Sequence, residues 1–124
     1  MLGKTMDVLE VITNIAKSKG FLVEIKDNKV EIGVEEENVP IKLVATLKDQ
    51  ELEIKIAVED LEDYIEDLKD SEEDYKNIIL EHLDDLKNIA RYIASEITSR
   101  GIKVVDRIRE SELDIIDALE ESEE

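Results

Sequence analysis

Apolar residues change their spacing several times along this chain, and the changes mark out its elements. Between Met6 and Lys19, Val8, Leu9, Ile12, Ile15 and Ala16 recur with a helical period, while Asp7, Glu10, Asn14 and Lys17 fall elsewhere on the cylinder. That spacing predicts an amphipathic helix. Thr5 is the expected N-cap, and Gly20 is placed to end the helix in a left-handed conformation. The period then drops to two. Phe21, Val23 and Ile25 alternate with Leu22, Glu24 and Lys26; beyond Asp27-Asn28, Val30, Ile32 and Val34 alternate with Glu31, Gly33 and Glu35. This is a hairpin pattern. After Glu35–Asn38 and Pro40, the segments Ile41–Leu47 and Glu51–Val58 form a second strand pair around Lys48-Asp49-Gln50. Leu52, Ile54, Ile56 and Val58 share one face of the last strand, with Glu51, Glu53, Lys55 and Ala57 on the other. One apolar face and short connections predict an antiparallel meander, not a parallel sheet covered on both sides.

Helical spacing returns after Asp60. Leu61, Tyr64, Ile65 and Leu68 make a short stripe, and Ser71 with Asp74 forms a capping-box pattern. A long helix is expected over 72–99, with Tyr75, Ile78, Ile79, Leu83, Leu86, Ile89, Ala90, Ile93, Ala94 and Ile97 inward and Thr98–Gly101 ending it. Ile102–Val105 reads either as a fifth short strand or as the start of a final helix carrying Ile108, Leu113, Ile115, Ile116 and Leu119, with Ser111 as an internal cap. No repeat and no Gly/Ser/Pro linker divides the chain. The expected fold is one α+β domain over 1–124 in two layers: a four-stranded antiparallel meander with an N-terminal helix and C-terminal helices packed on one face. Residues 1–58 make the helix and meander, 59–124 an acidic helical half, and 120–124 a frayed tail.

Composition narrows the chemistry. Of 124 residues, 34 are acidic and 16 are Lys or Arg, for a formal charge of -18. Such a field opposes direct binding of nucleic acid or an anionic membrane. The chain has no Cys and one His, which excludes disulfides, Cys/His zinc sites and a histidine triad within one chain. No apolar run reaches membrane-spanning length, and Asp7 and Glu10 interrupt any signal-peptide pattern at the N-terminus. A soluble, cytoplasmic protein is expected. With Trp absent and Glu, Lys and Ile abundant, the composition leans toward that of thermophilic proteins.

The charge is unevenly spread. Residues 1–58 carry 11 acids and 8 lysines, 59–85 carry 13 acids and 2 lysines, 86–109 carry 2 acids and 6 basic residues, and 110–124 carry 8 acids and no base. An acidic docking face for a basic protein partner is therefore expected from Glu62, Asp63, Glu66, Asp67, Asp70, Glu73, Asp74, Glu81, Asp84 and Asp85. The basic island is Lys87, Arg91, Arg100, Lys103, Arg107 and Arg109, whose bland role is to pair with the acidic helices before and after it. These six do not recur on one helical face among aromatics, so they do not read as a phosphate-backbone site.

Candidate catalytic groups are few. His82 lies near Glu81, Asp84 and Asp85 but is tied to no nucleophile by any motif, and is expected as a partly exposed helix histidine. The acid runs Glu35–Glu37, Asp60/Glu62/Asp63, Glu66/Asp67/Asp70 and Glu72–Asp74 lack the spacing and glycine of a calcium loop. No catalytic residue, metal ligand or cofactor is assigned. A non-enzymatic interaction or adaptor module leads the functional readings. The alternatives are a small divalent-metal enzyme using clustered carboxylates and a structural homodimer through the long helix. The order of elements also resembles the small α+β domains of secretion-chaperone-like proteins, which implies partner-protein binding without chemistry. The four-strand block uninterrupted by a helix departs from their usual pattern.

Overall fold

The computed structural model describes residues 2–34, 41–59, 61–69 and 75–121, with side chains for all of these except 2–7, 67–69, 75 and 121. Helix α1 (Leu2–Ser18) is followed by strands β1 (Leu22–Lys26), β2 (Lys29–Gly33), β3 (Ile41–Lys48) and β4 (Glu51–Val58), then by α2 (Leu61–Lys69), α3 (Tyr75–Ser99), β5 (Lys103–Asp106) and α4 (Ile108–Glu121). The strands form one sheet in the order β1-β2-β3-β4-β5. The first three pairings are antiparallel, whereas β5 runs parallel to β4.

This corrects the expectation of a four-stranded, purely antiparallel sheet. The meander itself is present, but α2 and α3 together supply the long crossover that a parallel neighbour requires. Lys103–Asp106 then pairs along the far edge of β4, with Val104 opposite Leu52 and Asp106 opposite Ile54. Two smaller corrections follow from the helix ends. Helix α1 already includes Leu2, so Thr5 lies inside it and is not its cap. Ser111 lies within α4, where its hydroxyl donates to the Arg107 carbonyl at 3.1 Å and accepts from the Ile56 N–H at 3.3 Å. The start of α4 is held instead by Asp106, whose Oδ1 accepts from the Ile108 N–H at 2.9 Å. The expected capping box at Ser71 and Asp74 lies outside the described residues.

The register explains the core. Val30, Ala45 and Ile54 form one inward row, and Val23, Ile32, Leu43 and Ile56 the next. Against these rows pack Leu9 and Ile12 of α1, Leu61 and Ile65 of α2, Ile79, Leu86, Ile93 and Ile97 of α3, and Ile108, Ile115 and Leu119 of α4. All four helices thus join one core on one face of the sheet. The opposite face holds charged rows around Val44 and Thr46, which are only 7% and 9% exposed. In register, Glu31 and Lys55 flank Val44, and Lys29 and Glu53 flank Thr46. Long aliphatic stems cover a short side chain on a central strand while their charged ends stay in water.

Glycine sets two helix ends. Gly20 and Gly101 adopt φ of +87° and +84°. After each, a backbone N–H reaches back five residues, Phe21 to Ala16 at 3.1 Å and Ile102 to Ile97 at 3.4 Å. This is the Schellman closure, which satisfies carbonyls that the helix leaves open.

Candidate interaction surface

Helix α3 sorts its side chains by face. Ile79, Leu83, Leu86, Ala90, Ile93 and Ile97 are buried, while Glu81, Asp84, Asp85, Asn88 and Tyr92 stand on the exposed side. In α2 the burial of Leu61 and Ile65 turns Glu62, Asp63 and Glu66 outward. None of these six acids forms an ion pair with a basic side chain among the described residues. Asp70, Glu73 and Asp74 lie outside the described residues, as does the side chain of Asp67.

The basic island does not act as one patch. Lys87 Nζ meets Glu112 at 2.9 Å, Arg100 meets Glu96 at 3.5 Å, and Lys103 meets Glu51 at 3.5 Å. Arg107 bridges Glu53 at 3.4 Å and Glu110 at 3.6 Å. These cations therefore serve β4, α4 and the end of α3. The pairing expected with the acidic segment before the island is not seen among the described residues. Arg91 and Arg109 make no ion pair there, and they share with Lys87 an open groove of about 460 Å³ lined also by Asp106, Glu112 and Leu113.

A second groove, about 480 Å³, opens between the end of α1 and α3, lined by Lys19, Phe21, Asp85, Asn88, Ile89 and Tyr92. Within it the Lys19 ammonium sits over the Tyr92 ring, 4.6 Å from its centroid. This cation–π contact places a positive charge beside the acidic stripe. Tyr92 remains 54% exposed. Tyr64 and Phe21 are partly buried and pack against the core.

His82 departs from its expected exposure. It is 8% exposed, because it stands on the shoulder of an apolar stripe wide enough to enclose it. Among the described residues no three His, Asp or Glu side chains gather in a way that suits a metal ion. No helix there is long and apolar enough to cross a membrane.

The outward sheet face escaped the segment-by-segment charge reading. It carries Lys26, Lys29, Lys42, Lys48, Lys55 and Lys103 against Glu24, Glu31, Glu51 and Glu53. Lys26 reaches diagonally to Glu31 at 3.2 Å, and Lys42 reaches the other Glu31 oxygen at 3.9 Å. The hydrogen bond from Lys26 to Glu31, then the charge of Glu24, hold the Lys26 pKa above the ordinary lysine value. The alternation of strand residues contained this signal, but counting charge along the chain hid it. Compared with known protein families, curated proteins and solved structures, the chain matches none.

Proposed function

We propose that this protein is a non-enzymatic interaction module whose acidic surface on α2 and the first half of α3 receives a basic protein partner. One observation carries the reading: Glu62, Asp63, Glu66, Glu81, Asp84 and Asp85 have no basic side chain paired with them among the described residues, while four of the six cations of the nearby island are committed to other acids. Uncommitted like charges on a surface raise the local potential, which speeds encounter with an oppositely charged partner and disfavours acidic ones. The Tyr92 ring, continuing the same helix stripe, supplies a contact surface of the kind that anchors interfaces.

The test is affinity capture from native lysate with the natural chain and with the triple variant Glu81→Gln, Asp84→Asn, Asp85→Asn, at low and moderate salt. The expected result is one basic protein retained by the natural chain at low salt, lost at moderate salt and lost in the variant. Equal retention by both chains at both salts rejects the reading.

A further inference from the structure

Two of the exposed large apolar side chains, Leu22 at 56% and Ile25 at 51%, belong to the same five-residue strand, β1. That strand ends the sheet, and its outer edge has no neighbouring strand among the described residues. The direction of its backbone groups follows from the hairpin. The Asn28 carbonyl accepts from the Leu47 N–H at 2.8 Å, so the backbone of Asn28 faces β3. Alternation along a strand then turns Lys29 toward β1, where it opposes Lys26. Lys26, Glu24 and Leu22 consequently bond inward to β2, and Val23 and Ile25 direct their N–H and C=O groups out of the edge.

We infer that β1 is a self-pairing edge: a second copy of this chain adds its own β1 antiparallel, in a register centred on Ile25. In that register Ile25 opposes Ile25 of the second copy as a hydrogen-bonded pair. Glu24 opposes Lys26 of the second copy, twice by symmetry, in the closer non-hydrogen-bonded positions. The pairing spans Glu24–Lys26 of each copy, since Asp27 turns the hairpin with φ of +53°, and the neighbouring registers lack its double charge match. Centring on Glu24 puts two carboxylates face to face at those close positions, and centring on Val23 sets Glu24 against Leu22. A shift by one residue would turn the apolar row of each sheet onto the charged face of the other.

Charge supports the same choice. Charged side chains and proline commonly keep an edge strand single, but opposite charges that fall directly across from each other favour pairing. Here a β-branched residue stands between an acid and a base, a sequence complementary to itself when reversed. The hairpin Leu22–Gly33 holds three acids and two lysines, so it meets its copy where the -18 chain is nearly neutral. Lys26 is shared between Glu31 at 3.2 Å and Glu24 at 3.8 Å, and its side chain is 54% exposed at the edge where Glu24 of the second copy would meet it. The result is one ten-stranded sheet with β5 at both ends of the strand order. This assignment uses none of the acids of the docking surface and stands apart from it.

Sedimentation equilibrium on the full chain tests the inference, with folding of each variant checked by circular dichroism. The natural chain is expected to approach twice its 14.2 kDa mass as concentration rises. Glu24→Lys and Lys26→Glu should each weaken the dimer by about tenfold or more, and the double exchange should restore it. Because the chain has no cysteine, Ile25→Cys should give a disulfide-linked dimer under mild oxidation, faster than Gln50→Cys in the other hairpin turn. A natural chain that stays monomeric overturns the inference. So does a dimer indifferent to the single exchanges, a double exchange no better than either single one, or equal cross-linking at positions 25 and 50.

Discussion

Asp106 ends one element and starts the next. Its backbone closes the β5 ladder opposite Ile54, and its carboxylate accepts from the first free N–H of α4 at 2.9 Å. Asp106→Ala should cost about 1 kcal/mol in chemical denaturation, with Asp106→Asn recovering most of it. A loss below the error of the measurement would show that the α4 N-terminus is satisfied without it. The sequence pointed to Ser111 instead, because a hydroxyl residue followed by acids carries the same cap signal wherever it falls. The choice between the two rested on where β5 ended, and pairing across the chain decided that. His82 illustrates a related limit. Its spacing placed it beside the apolar stripe, but the width of that stripe is set by the packing of several elements and not by α3 alone.

Among the elements, those with strong local periodicity were legible. Val30 and Ile32, and Leu52, Ile54 and Ile56, alternate as the sequence required and are buried in the structure. The end of α3 at Ser99, with its stop signal at Thr98–Gly101, was equally plain. The four residues of β5 were not, since a run as short as Lys-Val-Val-Asp acquires its meaning only from the β4 edge. Burial along β1 also departed from its alternation, for Ile25 shares a face with Val30 yet lies at the rim of the core. The glycine stops yield a prediction at this scale. A Cβ built on Gly20 or Gly101 meets nothing within 4 Å, so any penalty comes from the positive φ and not from crowding. Gly20→Ala and Gly101→Ala should each destabilise by about 1 kcal/mol, and asparagine, which tolerates this conformation, by less. Thermal melts of the four variants check this; equal losses for alanine and asparagine would contradict it.

Across the whole molecule, charge is arranged by layer. The strands hold six lysines against five acids, while the described residues of α2 and α4 are strongly acidic. The candidate acids Glu62 to Glu66 and Glu81 to Asp85 were legible as exposed positions, because a helical period shows directly which residues turn away from the core. Which cations would remain available was not legible, since the pairs Lys103–Glu51 and Arg107–Glu53 depend on the placement of β5 beside β4. A net charge of -18 also pushes the folded chain apart. Adding salt up to about 0.5 M should therefore raise the melting midpoint. A falling midpoint would mean that surface pairs such as Lys87–Glu112 outweigh that repulsion.

The parallel fifth strand has a consequence for synthesis. Strands β1 to β4 are joined by short connections and can assemble as soon as they leave the ribosome, with α1 already available to cover part of their apolar face. β4 must then wait with its outer backbone unpaired while roughly 45 further residues are added, an interval of roughly 2–9 s at typical elongation rates. During that interval the nascent chain presents the edge beside Leu52, Ile54 and Ile56 to its surroundings, and the arrival of Lys103–Asp106 closes it.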